Sequence, residues 1–547
     1  MQMKIRIAVI TILSFSNIVC NGMKTKVELI VKNAVIFTVD PEFSKCDCFA
    51  VNGGRFIAVG RESEILKLYE AKETIDAEGK YIYPGFIDAH AHFYGYALNL
   101  QYADLSSATS EAEMVELLKK HAAKHPSAWL AGRGWDQNKW QGKQFPDKSQ
   151  LDQLFPETPV VLARVDGHAV LANSAAMNLV GIKSIEDVKK GEGLIVNGKF
   201  TGVFLENTAD KFRQAVPVPQ EVDLYRLLGQ AQQNCFASGL TSVADAGLDM
   251  NTVILFDSLQ QSGKLLIRLY AMLNPTIENI NHFVKKGLLI TDRLSVRSIK
   301  LYADGALGSR GACLLKPYAD DKDNSGMIVT SIDTMKKICR LAYDNGYQVN
   351  THAIGDSAVR MALQMYAGVL KGKNDLRWRI EHAQVVDPAD IHLFGDFSII
   401  PSVQATHATS DMYWASERLG KDRIKNAYAY KALKQQNGWI PNGTDFPIEH
   451  IDPLLTFYAA VFRVDNEGNP KGGFQPENAL SQEDALRSIT IWPARAAFEE
   501  KEKGSIEPGK FADFVILDKD ITQSSSAEVL NTKVESTYLG GKKVSQR

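Results

Sequence analysis

The chain is poor in cysteine, in net charge and in long apolar runs, and each scarcity removes a class of protein. Six cysteines in 547 residues are too few for a disulfide scaffold. Cys46 and Cys48 lack the C-x-x-C spacing of a zinc or redox site, and ordinary packing explains them better than a bridge. Lysine and arginine number 62 against 64 acidic residues, a net charge of −2. A nucleic-acid partner is therefore not expected, because such binding needs a clustered basic excess. With 45% hydrophobic and 23% charged residues, the composition is that of a globular protein and excludes disordered, collagenous and low-complexity classes. No fixed-period repeat is present. The G-x-x-x-x-G-K-[ST] phosphate loop and the G-x-S-x-G of serine hydrolases are also missing.

The one apolar stretch of note lies at the start. Lys4 and Arg6 precede residues 7–19, a run too short to span a bilayer and shaped like a secretory signal. Residues 1–22 are expected to be a signal peptide, and the mature protein to be exported, periplasmic or secreted. A buried first strand is the alternative. Cys20 stands where a lipid-anchored cysteine would stand, although Val19 before it is bulkier than such cleavage prefers. No later segment is apolar and long enough to cross a membrane.

What the chain does have is strand-like ends around a rhythmic middle. Residues 26–39 and 48–59 alternate, with Asn52-Gly53-Gly54 as a turn, and residues 512–517 and 534–539 are again strand-like. This predicts one small sheet built from both ends, residues 24–83 and 496–547. Between them, eight short apolar runs alternate with helical stretches: 85–92, 240–245, 266–273, 296–304, 347–354, 378–384, 398–404 and 439–445. Eight parallel strands with intervening helices make an α/β fold, a (β/α)8 barrel over residues 84–495. Residues 94–222 are too long for one crossover and read as an insertion after the first barrel strand, able to cap the active site.

The chemistry-bearing residues fall at strand ends. His90 and His92 are two apart, which in a strand puts both imidazoles on one face, where they can grip a divalent ion. Two unrelated histidines on a polar face are the plain alternative. His352, His382 and Asp445 each stand toward the C-terminal end of another predicted strand, the face on which barrel active sites are built. Lys300 lies inside the apolar run 296–302. A buried ammonium needs a carboxylate partner. Otherwise burial supplies a neutral amine, which CO₂ can convert to a carbamate that bridges two metals.

These stretches resemble the amidohydrolase superfamily, within amidohydrolase family 3, the YtcJ-like metal-dependent hydrolases. The matching segments are YPGFIDAHAH (83–92), RVDGHAVLANSAA (164–176), KLYADGALGSRGA (300–312), NTHAIGD (350–356), EHAQ (381–384), SVQATHATSDMYW (402–414), GTDFPIE (443–449) and GSIEPGKFADFVIL (504–517), in family order. The resemblance implies a distorted (β/α)8 TIM barrel beside a small β-sandwich formed by both termini, with one or two divalent metal ions. It implies that His90 and His92 hold the more buried ion and that His352 and His382 hold the second. Carbamylated Lys300 would bridge them, and Asp445 would contact the metal-bound water. An unmodified Lys300 goes with a single ion. Zinc suits the imidazole and carboxylate set, with Fe²⁺, Mn²⁺ or Co²⁺ admissible.

A divalent ion makes hydroxide available at neutral pH, and Asp445 is then the general acid/base. The expected reaction is hydrolysis of a non-peptide C–N bond in a small-molecule substrate: an amide, formamide or cyclic amide. An ester or lactone hydrolase or a deaminase would use the same groups, and a non-catalytic binding protein on this fold is a further alternative. Three residues are candidates for substrate binding: Trp135 and His168 in the insertion, and His407 after the seventh strand. Trp135 and Trp140 suit a substrate wall and equally the insertion's own core, the better of the two readings. A homodimer is compatible with the sequence.

Overall fold

The computed structural model describes residues 24–546 except 126, 138–139, 165–168, 189–191 and 218–220. The expected signal peptide, Cys20 and His168 lie outside the described residues. No described helix is long and apolar enough to cross a membrane. The five described cysteines are free thiols.

The barrel forms as the alternation predicts. Seven parallel strands pair in sequence order: Phe86–Ala91, Leu240–Leu248, Arg268–Leu273, Leu294–Tyr302, Gln348–Ala353, Arg379–His382 and Ile400–Ser402. A short strand, Leu289–Ile290, pairs antiparallel with the fourth. The helices between them follow from apolar spacing and caps. In Ile332–Asp344, Met335, Ile338, Cys339 and Ala342 form the buried stripe, and the Ser331 side chain accepts the Thr334 N–H at the start.

The eighth stave differs from the regular strand expected at 439–445. Among the described residues its ladder to the end of the seventh strand is a single isolated parallel bridge, Val403 with Asn442, beside a bond from the Ala405 N–H to Asn442 Oδ1. Pro441 has no N–H to give to a ladder, and the Asn442 N–H goes instead to the Ser488 carbonyl. The barrel still closes, because the Ala89 N–H donates to Asn442 O, and the Asp445 N–H to His90 O at 2.8 Å. Gly443 makes this approach possible: a Cβ there would stand 2.5 Å from the His90 nitrogen.

The terminal segments build two packed sheets, as the β-sandwich implied by the resemblance requires, rather than the single sheet read from the strand pattern. A four-stranded sheet is wholly N-terminal, from Thr25–Lys32 to Tyr69–Asp76. A six-stranded sheet takes three strands from each end and joins them where Tyr81–Pro84 pairs antiparallel with Phe514–Leu517. Leu29, Val31, Phe49, Ile82, Phe514 and Ile516 pack together between the two. The sequence pattern showed strands at both ends but not that sheet pairing divides them. Arg268 of the third barrel strand fastens this part to the barrel through two bonds to the Asp513 carboxylate, 2.6 and 2.9 Å long.

The long segment after the first strand makes a further six-stranded mixed sheet, running from Ala103–Asp104 to Lys199–Leu205. It has its own core, in which Trp135 and Trp140 are buried with Leu105, Leu151 and Leu162. The helix Phe93–Asn99, by contrast, packs on the barrel helix Glu221–Ala237.

Candidate active site

Barrel geometry brings seven of the residues singled out above to one place. Asp88 and His90 share the inward face of the first strand, and His92 follows its last residue. Lys300 comes from the fourth strand, His352 from the fifth and His382 from the end of the sixth. Asp445 comes from the irregular eighth stave. His407 is on the helix Ala405–Asp411 that follows the seventh strand. His90, His92, Lys300, His352, His382, His407 and Asp445 all line a cavity of about 420 Å³. Trp135 does not. It is fully buried in the insertion core, its indole N–H donating to Leu162 O at 2.8 Å, so the core reading accounts for it and the substrate-wall reading does not.

Asp445 is the meeting point. Its Oδ1 lies 3.2 Å from His92 Nε2 and 3.7 Å from His90 Nε2, and its Oδ2 lies 3.7 Å from His407 Nε2. The two H-x-H rings have fixed tautomers. His92 Nδ1 is 3.0 Å from the Ala246 carbonyl, which can only accept, so that nitrogen carries the proton. His90 Nδ1 is 2.6 Å from Glu381 Oε2 and carries its proton for the same reason. In the neutral rings both Nε2 lone pairs then face the Asp445 carboxylate, which, outweighing burial, raises the tendency of His92 to hold a proton there. A lone pair opposed to an anion is repulsive unless a proton or a metal cation sits between them.

Further donors point the same way. His352 Nε2, His382 Nδ1, His407 Nε2 and Asp445 Oδ1 are buried without a well-directed hydrogen bond among the described residues. Buried polar atoms normally have partners. Two three-donor sets share the carboxylate: His90, His92 and Asp445, and His382, His407 and Asp445. Within each set the ligating atoms lie within 4.8 Å of one another. His352 stacks edge-on to His382, with ring centres 4.5 Å apart, but the second three-donor set runs through His407 instead. Imidazole nitrogens and carboxylate oxygens at this spacing fit a divalent transition metal.

Burial sets the charge states. It lowers the His352 imidazole to about 3, with the Lys300 ammonium adding to the effect, and it takes His382 well below its ordinary value. Both rings are thus neutral, as metal ligands must be. For Asp445 burial acts upward, but the imidazoles of His92, His90 and His407 outweigh it and hold the carboxyl below the usual range. Burial brings the Lys300 amine down to about 8. Among the described residues no carboxylate pairs with it, and its nearest polar contact is His90 Nε2 at 3.3 Å.

Sequence reasoning passed over several contributors. Asp88 accepts the His90 N–H at 3.0 Å and the Thr444 hydroxyl at 2.7 Å. Strand alternation alone puts it on the His90 face. Glu381 was less visible. Neighbours in a regular strand point to opposite sides, yet both Glu381 and His382 turn inward. The break is the left-handed backbone of His382 and Ala383, with φ of 72° and 43°, a strained conformation that no sequence pattern announces. Tyr302, Asp411 and Trp414 are also part of the cavity wall.

This geometry has relatives. Residues 73–545 match the amidohydrolase family, and the chain belongs to it. The chain is 32% identical over 540 residues to Protein LONG AFTER FAR-RED 3 of Arabidopsis thaliana, covering 94% of this chain and 91% of the relative. It is 27% identical over 542 residues to an N-substituted formamide deformylase of Arthrobacter pascens, covering 94% and 97%. A metal-dependent hydrolase of Pyrococcus horikoshii superposes with a TM-score of 0.76 at 28% identity, covering 91% of this chain and 99% of that structure. Fold, donor set and relatives together define a metal-dependent hydrolase of the amidohydrolase family.

Proposed function

We propose that the protein hydrolyses a carbon–nitrogen bond other than a peptide bond, in an amide, formamide or cyclic amide, with Asp445 as the proton-transferring group. The observation that carries this is the convergence of His90 Nε2 and His92 Nε2 on the Asp445 carboxylate, an arrangement that needs a proton or a cation between rings and carboxylate and that fits a metal ion. The deformylase among its relatives supports the C–N bond as target.

His90, His92, His382, His407 or His352, and Asp445 would hold one or two divalent ions, with zinc the best match to the donors. Such an ion supplies Lewis acidity toward a carbonyl oxygen and brings the pKa of water near neutrality. The chain's own groups do the rest. Asp445 enters ionised, because its imidazole neighbours hold its carboxyl low, so it starts as a proton acceptor. The proton gained at its carboxylate is then delivered to the leaving nitrogen. His90 and His92 cannot compete for that proton at Nδ1, where Glu381 and the Ala246 carbonyl fix it. Lys300, with no carboxylate partner among the described residues and a lowered pKa, suits carbamylation, in which CO₂ adds to the neutral amine with loss of one proton; the carbamate would bring two oxygens sharing one negative charge among the imidazoles.

A panel of N-substituted formamides, anilides and cyclic amides with their matched esters tests the reading. Turnover of a C–N substrate should vanish on chelation, return with added Zn²⁺, and vanish in Asp445→Asn. Hydrolysis indifferent to chelators and to that substitution would overturn it.

A further inference from the structure

Behind His90, the barrel interior holds a charged pair where such barrels usually place Val, Ile or Leu. Arg379 and Glu381, both fully buried, are two apart on the sixth strand. Arg379 Nη1 lies 3.8 Å from Glu381 Oε1 and donates to Ala89 O at 3.1 Å. Glu381 Oε2 accepts a hydrogen bond from His90 Nδ1 at 2.6 Å. The pair is incompletely satisfied: Arg379 Nε, Arg379 Nη2 and Glu381 Oε1 have no hydrogen-bond partner among the described residues. Buried ion pairs with loose ends are poor stabilisers compared with apolar packing of the same volume, so barrel stability alone does not explain this one.

The contacts themselves suggest another role. Ala89 O belongs to the peptide bond that leads into His90, so Arg379 grips the backbone of the residue whose ring Glu381 grips. Together they hold His90 at two points, one on the main chain and one on the imidazole. Ring rotation and tautomer exchange would each break the Glu381 bond. Nε2 is thereby kept bare and aimed at Lys300 and Asp445. A carboxylate on the far nitrogen also makes an imidazole a stronger electron-pair donor.

We propose that Arg379 and Glu381 are positioning residues that set the metal affinity of His90 and touch neither substrate nor metal. This rests on the reading of His90 as a ligand. The test uses full-length protein stripped by chelation and titrated with Zn²⁺, and separately with Co²⁺ to follow its visible absorption. Glu381→Gln should raise the Zn²⁺ dissociation constant about 10–100-fold and shift the Co²⁺ bands, along with a lower melting temperature because Arg379 is left buried without its anion. Arg379→Lys keeps the charge but loses the reach to Ala89 O, and should give a smaller loss in the same direction. If Glu381→Gln does not fold, the double variant Arg379→Met/Glu381→Leu removes both charges together and should show the weakened binding. Wild-type affinity and an unchanged Co²⁺ spectrum in the folded variants would overturn the proposal. His90→Ala separates the two claims: if it too binds Zn²⁺ like wild type, His90 is not a ligand and the underlying reading fails. If it loses the metal while Glu381→Gln keeps it, only the positioning role fails.

Discussion

Thr444 donates its hydroxyl to Asp88 Oδ2 at 2.7 Å, and its backbone N–H reaches the same carboxylate. Because Asp88 also accepts the His90 N–H, this bond ties the first barrel strand to the stave that carries Asp445. The stave has almost no ladder of its own. Asp88 therefore joins the backbone bonds Ala89 N–H to Asn442 O and Asp445 N–H to His90 O in aligning the H-x-H pair with the carboxylate opposite.

Replacing Asp88 should misalign the site more than it unfolds the barrel. Asp88→Asn keeps the volume but offers one acceptor oxygen to three donors. A buried donor left without a partner costs about 1–3 kcal/mol, and displacement of catalytic groups costs about 10–100-fold in rate. We expect a loss of kcat of that order with a modest drop in melting temperature, read by steady-state kinetics and thermal denaturation. Unchanged kcat would show that Asp88 does not align the site.

Lys300 offers a pH-dependent test. Carbamylation consumes the neutral amine, and burial brings this lysine down to about 8. The neutral fraction therefore rises toward pH 8 and falls about tenfold for each pH unit below it. Metal-free protein given Zn²⁺ and ¹³C-bicarbonate should regain activity faster at pH 8 than at pH 6, with a carbamate carbon signal in its NMR spectrum that Lys300→Ala lacks. Equal rates at both pH values and no signal would argue for an unmodified lysine.

The bond between barrel and terminal sheets is a stability prediction. Asp513 holds Arg268 with two short bonds, both side chains being buried, and the guanidinium lies over the Phe511 ring at 3.8 Å. Asp513→Ala leaves an uncompensated buried cation, for which about 3–5 kcal/mol is the usual loss. Denaturant titration should show it. A loss below about 1 kcal/mol would mean that water solvates Arg268 in the folded state.

Trp135 separates core from substrate wall. Its indole is buried against Leu162, so Trp135→Phe should lower the melting temperature while leaving KM for any substrate within about twofold, since the change removes packing and one hydrogen bond of about 1 kcal/mol. A KM shift of tenfold with no change in melting would place it at the substrate after all.

How much of this could be read from the chain depends on the range of the cause. Seven barrel strands were legible because alternation is local, and His90, His92, Lys300, His352, His382 and Asp445 because strand ends and buried charges are conspicuous in apolar runs. The irregular eighth stave was not, although Pro441 and Gly443 were in plain view, since the hydrogen bonds replacing its ladder come from Ser488 and Ala89, distant in sequence. Glu381 escaped for a backbone reason, the positive φ at His382. The division of the terminal strands into two sheets depends on long-range pairing such as Tyr83 with Val515, which composition does not encode. Trp135 carries two readings in the sequence, substrate wall and insertion core, and its burial against Leu162 fits the core reading that the sequence favours.

The central claim is that imidazoles from separate barrel strands and Asp445 enclose a cation that the reaction needs. The most direct measurement is metal content against turnover, by elemental analysis of the full-length protein before chelation, after chelation and after reconstitution. The account predicts one or two equivalents of divalent metal, activity that rises in proportion to their return, and loss of bound metal in His90→Ala and His92→Ala. Full activity in protein shown to be free of metal would contradict it.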